Sequence, residues 1–196
     1  MRFPKYADWV IGAPYNIAIA VLCLATLGAC AHTRHVHWTE DVRLSDGRTM
    51  VVRRTEEYRR VTDPGAGFRT GWLFKRASIA TVAPAPISPK ASWEGSVSPL
   101  VLDIQPDGIT YLVCDLATGS ARIEWKVPRH EFYVVFRLVD STWNRISLSE
   151  LPLPVQPNLV PNGELLAERG IRSGTHVDLN SKLKDKLSSA LPPSVD

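Results

Sequence analysis

The sequence predicts a mainly β protein: a small antiparallel sheet domain built from hairpins or a meander, followed by a proline-rich tail with one short helix. Three observations predict it. Two glycine turns, Asp46-Gly47 and Asp107-Gly108, each sit between β-rich runs. Two further runs, Ile109–Leu116 and Glu131–Val139, are apolar on both faces and short enough to be central strands. Tight turns rather than helical crossovers join the runs, which favours antiparallel order.

The elements follow in order. Residues 35–44 read HVHWTEDVRL and residues 49–60 read TMVVRRTEEYRR. A two-residue turn at Asp46-Gly47 sets Val42 opposite Val51, Glu40 opposite Arg53 and Trp38 opposite Thr55. Trp38, Glu40, Val42 and Leu44 then share a face with Val51 and Arg53. Residues 61–70 carry Pro64, Gly65 and Gly67 and read as a loop. Gly71–Val82 is apolar and aromatic and is expected to be a strand. Pro84, Pro86 and Pro89 exclude a central strand from residues 83–98. Ser98–Ile104 is a strand with Leu100, Leu102 and Ile104 on one face, and Gln105-Pro106-Asp107-Gly108 suits a type I turn. In 131–139 the residues Phe132, Val134, Phe136 and Leu138 form one face. Asp140–Asn144 reads as a turn and Arg145–Ser149 as an edge strand. Four prolines between Leu151 and Pro161 break regular structure. Leu179, Leu183 and Leu187 recur every fourth residue, so a helix is expected over 178–190, stopped by Pro192. The expected organisation is residues 1–29 as a leader, 30–34 as a tether, 35–150 as the β domain and 151–196 as a loosely packed, partly disordered tail.

The leader has its own logic. Arg2 and Lys5 precede a stretch from Trp9 to Ala29 without a charged side chain, and its densest part reads IAIAVLCLATL. A basic start, an apolar centre and small residues at the end are the layout of a secretory signal. An uncleaved helix over 9–29 is long enough to span a bilayer, but Pro14 and Asn16 weaken it, and the small-residue box at the very end of the run favours cleavage. Leu27-Gly28-Ala29-Cys30 resembles the lipobox of bacterial lipoproteins. The resemblance implies that Cys30 receives a diacylglyceryl group, that the chain is cut before it, and that the mature protein is held by acyl chains. One chain binds marginally, while two or three hold firmly. Ala31, where this class carries aspartate for inner-membrane retention, implies the outer membrane. The run from Trp38 to Arg48, with Val52 and Arg54, and the segments at Tyr111–Val113 and Phe132–Leu138 resemble a group of uncharacterised proteobacterial lipoproteins. That likeness implies location and β character and no activity.

Composition narrows the function classes. A net charge of +3 is too small to indicate a nucleic-acid binder. With Cys23 in the leader and Cys30 lipidated, only Cys114 is left in the mature part, so no intrachain disulfide forms there. His32, His35 and His37 are imidazoles of the kind zinc and copper take, but they lie on the tether without a fourth ligand and read as a polar linker. The hairpin arginines Arg43, Arg48, Arg53, Arg54, Arg59 and Arg60 suit anionic headgroups if the hairpin lies close to a membrane, but they are interleaved with Glu40, Asp41, Asp46, Glu56 and Glu57, which favours a solvated, cross-paired face. Cys114 and His130 are a nucleophile and a base only by residue type; a cysteine inside an apolar strand is ordinarily a buried hydrophobe. There is no Gly-x-Ser-x-Gly, phosphate-binding glycine loop, His-Glu-x-x-His or Cys-x-x-Cys motif. The expectation is a lipid-anchored envelope protein that is not an enzyme, needs no cofactor or metal, and binds no nucleic acid. Its partners are the membrane, through the lipid, and an envelope protein or cell-wall component. The rival class is a hydrolase-like envelope enzyme whose site is assembled only by the fold.

Overall fold

The computed structural model describes residues 33–63, 69–83, 92–152, 155–168 and 170–184. Among the described residues nine strands form two sheets, and the fold is mainly β, as the sequence predicts. The leader, Leu27 to Cys30 and His32 lie outside the described residues.

The first sheet is built on a hairpin of β1 (Thr33–Arg43) and β2 (Thr49–Asp63). Its turn differs from the expected one. Leu44 N–H donates to the Arg48 carbonyl at 2.8 Å and Gly47 N–H to the Leu44 carbonyl at 3.0 Å. Gly47 has φ of +89°, so the loop is Ser45-Asp46-Gly47, a type I turn closed by a glycine bulge. The third loop residue moves the register by one. Val42 lies opposite Met50, Glu40 opposite Val52 and Trp38 opposite Arg54. A one-residue slip exchanges the faces of a strand, so Met50, Val52 and Arg54 turn inward in place of Val51 and Arg53.

β3 (Arg69–Ala83) pairs with β2, with an irregularity between Glu57 and Tyr58, and the short β4 (Ser92–Gly95) forms the edge. β2 and β3 together extend regular structure into both ends of the stretch expected to be a loop. Gly95 and Ser98 bracket the short link to the second sheet, β5 (Ser98–Ile104), β6 (Thr110–Asp115), β7 (Tyr133–Val139) and β8 (Thr142–Ile146), paired in that order. The β5–β6 turn repeats the first design: Gly108 N–H donates to the Gln105 carbonyl at 2.9 Å, with φ of +88° at Gly108. A bulge between Pro99 and Val101 takes Leu100 off the face shared by Leu102 and Ile104, correcting the simple alternation expected there. Asp140 and Ser141, both at positive φ, make the two-residue β7–β8 turn. This starts the edge strand at Thr142, and Leu148–Glu150 is a 3₁₀ turn capped by Ser147. A short helix, α1 (Gly119–Glu124), was not foreseen; Thr118 caps it by accepting from the Ala121 amide at 3.2 Å.

The two sheets pack face to face. Val42, Met50, Val52, Ile79 and Trp93 of the first meet Leu102, Leu112, Cys114, Val134 and Phe136 of the second. Burial of this apolar surface is the main stabilising term.

The described residues from 155 to 184 are not the loose tail that the prolines imply. Leu159 and Val160 are fully buried, and Leu166 and Val177 are 1% exposed. Leu151 and Val155 cover the outer face of β5–β7. Helix α2 (Gly163–Glu168) packs Leu166 on Val36, Trp38 and Tyr58. β9 (His176–Val177) then adds to β1 in parallel at Thr39 and Glu40. Helix α3 (Leu179–Lys184) covers the first part of the expected 178–190 helix; residues 185–190 lie outside the described residues. Proline removes ladder hydrogen bonds, but it leaves a chain free to cross a sheet edge and bury its apolar side chains.

Candidate functional site

The inward register of β1 and β2 places charge where the flanking residues are apolar. Glu40 lies between Trp38 and Val42, and Arg54 and Glu56 lie between Val52 and Tyr58, all on the buried face. Glu40, Arg54 and Glu56 are 0% exposed. Lys182 of α3 reaches the same place and is 4% exposed. Two carboxylates and two cations are thus enclosed between the main core and the smaller cluster beneath α2.

Arg54 Nη1 approaches Glu40 Oε1 at 3.3 Å and Nη2 approaches Glu56 Oε1 at 2.8 Å. Nη1 also donates to the Val160 carbonyl, and the guanidinium lies 4.8 Å over the Trp38 ring. Glu40 accepts from Trp38 Nε1 at 3.0 Å, the Val160 amide at 2.8 Å and Lys182 Nζ at 2.5 Å. Glu56 accepts from the Tyr58 hydroxyl and from the Gly163 amide at 2.6 Å. Lys182 also donates to the Asp41 carbonyl at 2.5 Å and the Asn158 carbonyl at 2.6 Å. Among these polar atoms only Arg54 Nε lacks a partner.

Burial pushes the Glu56 carboxyl up, against the opposing pull of Arg54, the Tyr58 hydroxyl and the Gly163 amide. Burial pushes the Lys182 ammonium down, against Glu40. Tyr58 is pushed up by burial and by the adjacent Glu56. The charges are enclosed and directed at one another, so the cluster's chemistry is to fasten residues 158–182 to the hairpin. Buried ion pairs add little net stability over apolar packing, but they fix which segments meet.

An open cleft of about 620 Å³ lies beside the cluster, where Arg43, Ser45, Asp103, Gln156, Asn158 and Lys182 are among its walls. Its polar groups hold the fold. Asp103 accepts from the Ser45 amide and hydroxyl, both at 2.8 Å, and from Gln105. The Asn158 amide oxygen accepts from Leu102 N–H at 3.0 Å, while its nitrogen donates to the Leu102 carbonyl at 2.8 Å and the Arg43 carbonyl at 2.9 Å. Asn158 therefore occupies the β5 edge as a partner strand would, and it ties that edge to β1.

The other residues singled out from sequence fall apart in space or turn inward. His35 and His37 are exposed on β1, and His37 Nδ1 lies 3.1 Å from the Ser173 hydroxyl. Among the described residues no group of three His, Cys, Asp or Glu comes together. Cys114 is fully buried in the main core, its thiol pushed well up by desolvation, while the His130 side chain is 83% exposed. Of the six hairpin arginines, Arg54 is buried and Arg48 pairs with Asp46 at 2.5 Å. Glu57 on the outer face is met by Lys75 and Arg76 from β3. Among the described residues no helix is long and apolar enough to cross a membrane.

The class defined by this architecture is a two-sheet, mainly antiparallel β protein with an enclosed ionic clasp. Searches against protein-family models, curated proteins and solved structures found no match.

Proposed function

We propose that the protein is a lipid-anchored component of a bacterial envelope, held through Cys30, whose β domain is a non-catalytic binding or structural module. The observation that carries the reading is the apolar run ending in Leu27-Gly28-Ala29-Cys30 only three residues before the first strand begins at Thr33. Cleavage there joins folded domain to lipid with almost no intervening chain, a layout that suits anchoring. Ala31 favours the outer membrane as the destination. The binding role is supported by the edges of the sheets. Among the described residues β8 pairs with β7 alone, and its outer side offers the backbone groups that an added strand uses. An envelope protein or a wall component is the partner class, and the anchor raises its local concentration. The buried acid and base groups favour this reading over a hydrolase, because their hydrogen bonds are made inside the fold, with one another, with Trp38 and with the Val160 and Gly163 amides.

The test is intact mass and metabolic palmitate labelling of the membrane fraction, comparing the native protein with Cys30→Ser. The expected mass is that of residues 30–196 plus lipid, with label lost in the variant and the variant freed by carbonate washing. An unlabelled species retaining residues 1–29 refutes the anchor.

A further inference from the structure

The end of the first sheet nearest Cys30 is positively charged. β1 begins at Thr33, opposite Arg59, and the next pair sets Arg34 opposite Tyr58. Beyond Arg59, among the described residues, β2 and β3 continue, pairing Arg60 with Trp72 and Thr62 with Thr70. Arg59 and Arg60 are exposed, and Arg34 lies 5.9 Å over the Trp72 ring. Among the described residues none of these three arginines has a carboxylate within salt-bridge distance. The opposing charge close to Arg34 is Glu164, whose carboxyl burial pushes up. Further along the outer face Lys75 and Arg76 are already matched to Glu57.

The tether sets the distance. Two residues, Ala31 and His32, separate Cys30 from Thr33, so three residue steps span about 10 Å at full extension. That is close to the screening length of about 8 Å at physiological salt. If Cys30 sits at the bilayer surface, this end of the sheet stays within the field of the headgroups.

We propose that the β1 start and the β2–β3 extension form a membrane-facing tip, in which Arg34 and Arg60 from one face of the ribbon and Arg59 from the other dock end-on on anionic phospholipid headgroups and Trp72 lies at the interface. This rests on the lipid-anchor reading. The short tether supplies proximity and the arginines supply orientation, so the ribbon tip leans onto the bilayer and β8 is left accessible. Each arginine near an anionic surface favours the docked state roughly fivefold, and three together on the order of a hundredfold.

The test uses the lipidated mature protein, residues 30–196, in vesicles, with Thr62→Cys carrying an environment-sensitive fluorophore. Mature Cys30 is acylated and Cys114 is buried, so labelling is selective. Vesicles of phosphatidylcholine, with or without about one third phosphatidylglycerol, carry a headgroup quencher, and flotation reports anchoring separately. The expected result is quenching several-fold stronger in anionic vesicles, lost in 0.5 M salt and lost in the triple Arg34→Gln, Arg59→Gln, Arg60→Gln variant, with flotation unchanged. The matching Arg→Lys triple variant keeps the quenching, which separates charge from folding. Equal quenching in neutral and anionic vesicles, or full quenching in the glutamine variant, overturns the docking surface while leaving the anchor intact. Failure of the native protein to float overturns the anchor and the docking surface with it.

Discussion

Replacing Arg54 by methionine removes the one side chain that touches both buried carboxylates. Methionine keeps much of the volume and the contact with Trp38, so the loss is electrostatic rather than a cavity. Glu40 retains Trp38 Nε1, the Val160 amide and Lys182, but Glu56 is left with only the Tyr58 hydroxyl and the Gly163 amide. The Val160 carbonyl loses its guanidinium donor as well. Breaking a buried pair by removing one partner costs about 3–5 kcal/mol. Against a typical domain stability of about 5–15 kcal/mol that is a large share. With a urea slope of about 2 kcal/mol per molar, the unfolding midpoint falls by about 2 M. The pH dependence follows from the carboxyl. Glu56 already holds its proton more tightly folded than unfolded, because burial raises it. Such a group favours the fold below the unfolded carboxyl range of about 4.3, and that contribution is lost as pH rises through the folded value. Without Arg54 the folded value rises further, so the stability gap between variant and native protein narrows as pH falls from 7 towards 5. Adding Glu56→Gln to Arg54→Met restores most of the loss, because the carboxylate left without a cation is then neutral while Glu40 keeps Lys182. A loss below about 1 kcal/mol in urea unfolding, or a double variant no better than the single one, refutes the view that these charges support one another.

Two further outcomes are expected. Asn158→Ala removes three hydrogen bonds at the β5 edge and costs about 2–3 kcal/mol. Asn158→Asp does not recover the loss, since a carboxylate then faces two carbonyls; chemical unfolding and faster hydrogen exchange at the Leu102 amide check both. The Cys114 thiol, enclosed and pushed up by burial, does not react with Ellman's reagent at pH 8 in the native state and reacts fully once denatured. Stoichiometric reaction in the native state would place Cys114 outside the core.

The strands of the second sheet were legible because their information is local. Ser98–Ile104 has the predicted bounds, and the two both-faces-apolar runs are the central strands β6 and β7. The first hairpin was legible as a hairpin but not in register. Asp-Gly fits a two-residue turn and also a three-residue turn with a glycine bulge, and only packing decides between them. That one residue concealed the ionic clasp, because it paired Glu40 with Arg53 and left Arg54 on the solvent side. A parity signal was present: Val52 and Tyr58 flank Arg54 and Glu56 at even positions, as Trp38 and Val42 flank Glu40. The stretch after residue 150 misled for another reason. Its prolines forbid ladders, while Leu159, Val160, Leu166 and Val177 are too widely spaced to show a period. Their partners are residues of β1, β2 and β5, more than fifty positions earlier in the chain. Lys182 reads as one lysine of a basic helix, and nothing local indicates that it is enclosed.

The parallel pairing of β9 with β1 has a consequence for the order of assembly. Thr39 and His176 meet across 137 positions, and the Val160 amide reaches Glu40 across 120. Such distant contacts raise the mean loop that must close before the native state is reached, which slows folding. As the chain emerges from its N-terminal end, β1 and β2 can pair early while Glu40, Arg54 and Glu56 stay hydrated. Their water is displaced only when residues 158–182 arrive and supply the amides of Val160 and Gly163 and the ammonium of Lys182. The clasp therefore works as a completion check: the hairpin cannot dehydrate its own charges, and the fold closes only around a segment made long after it.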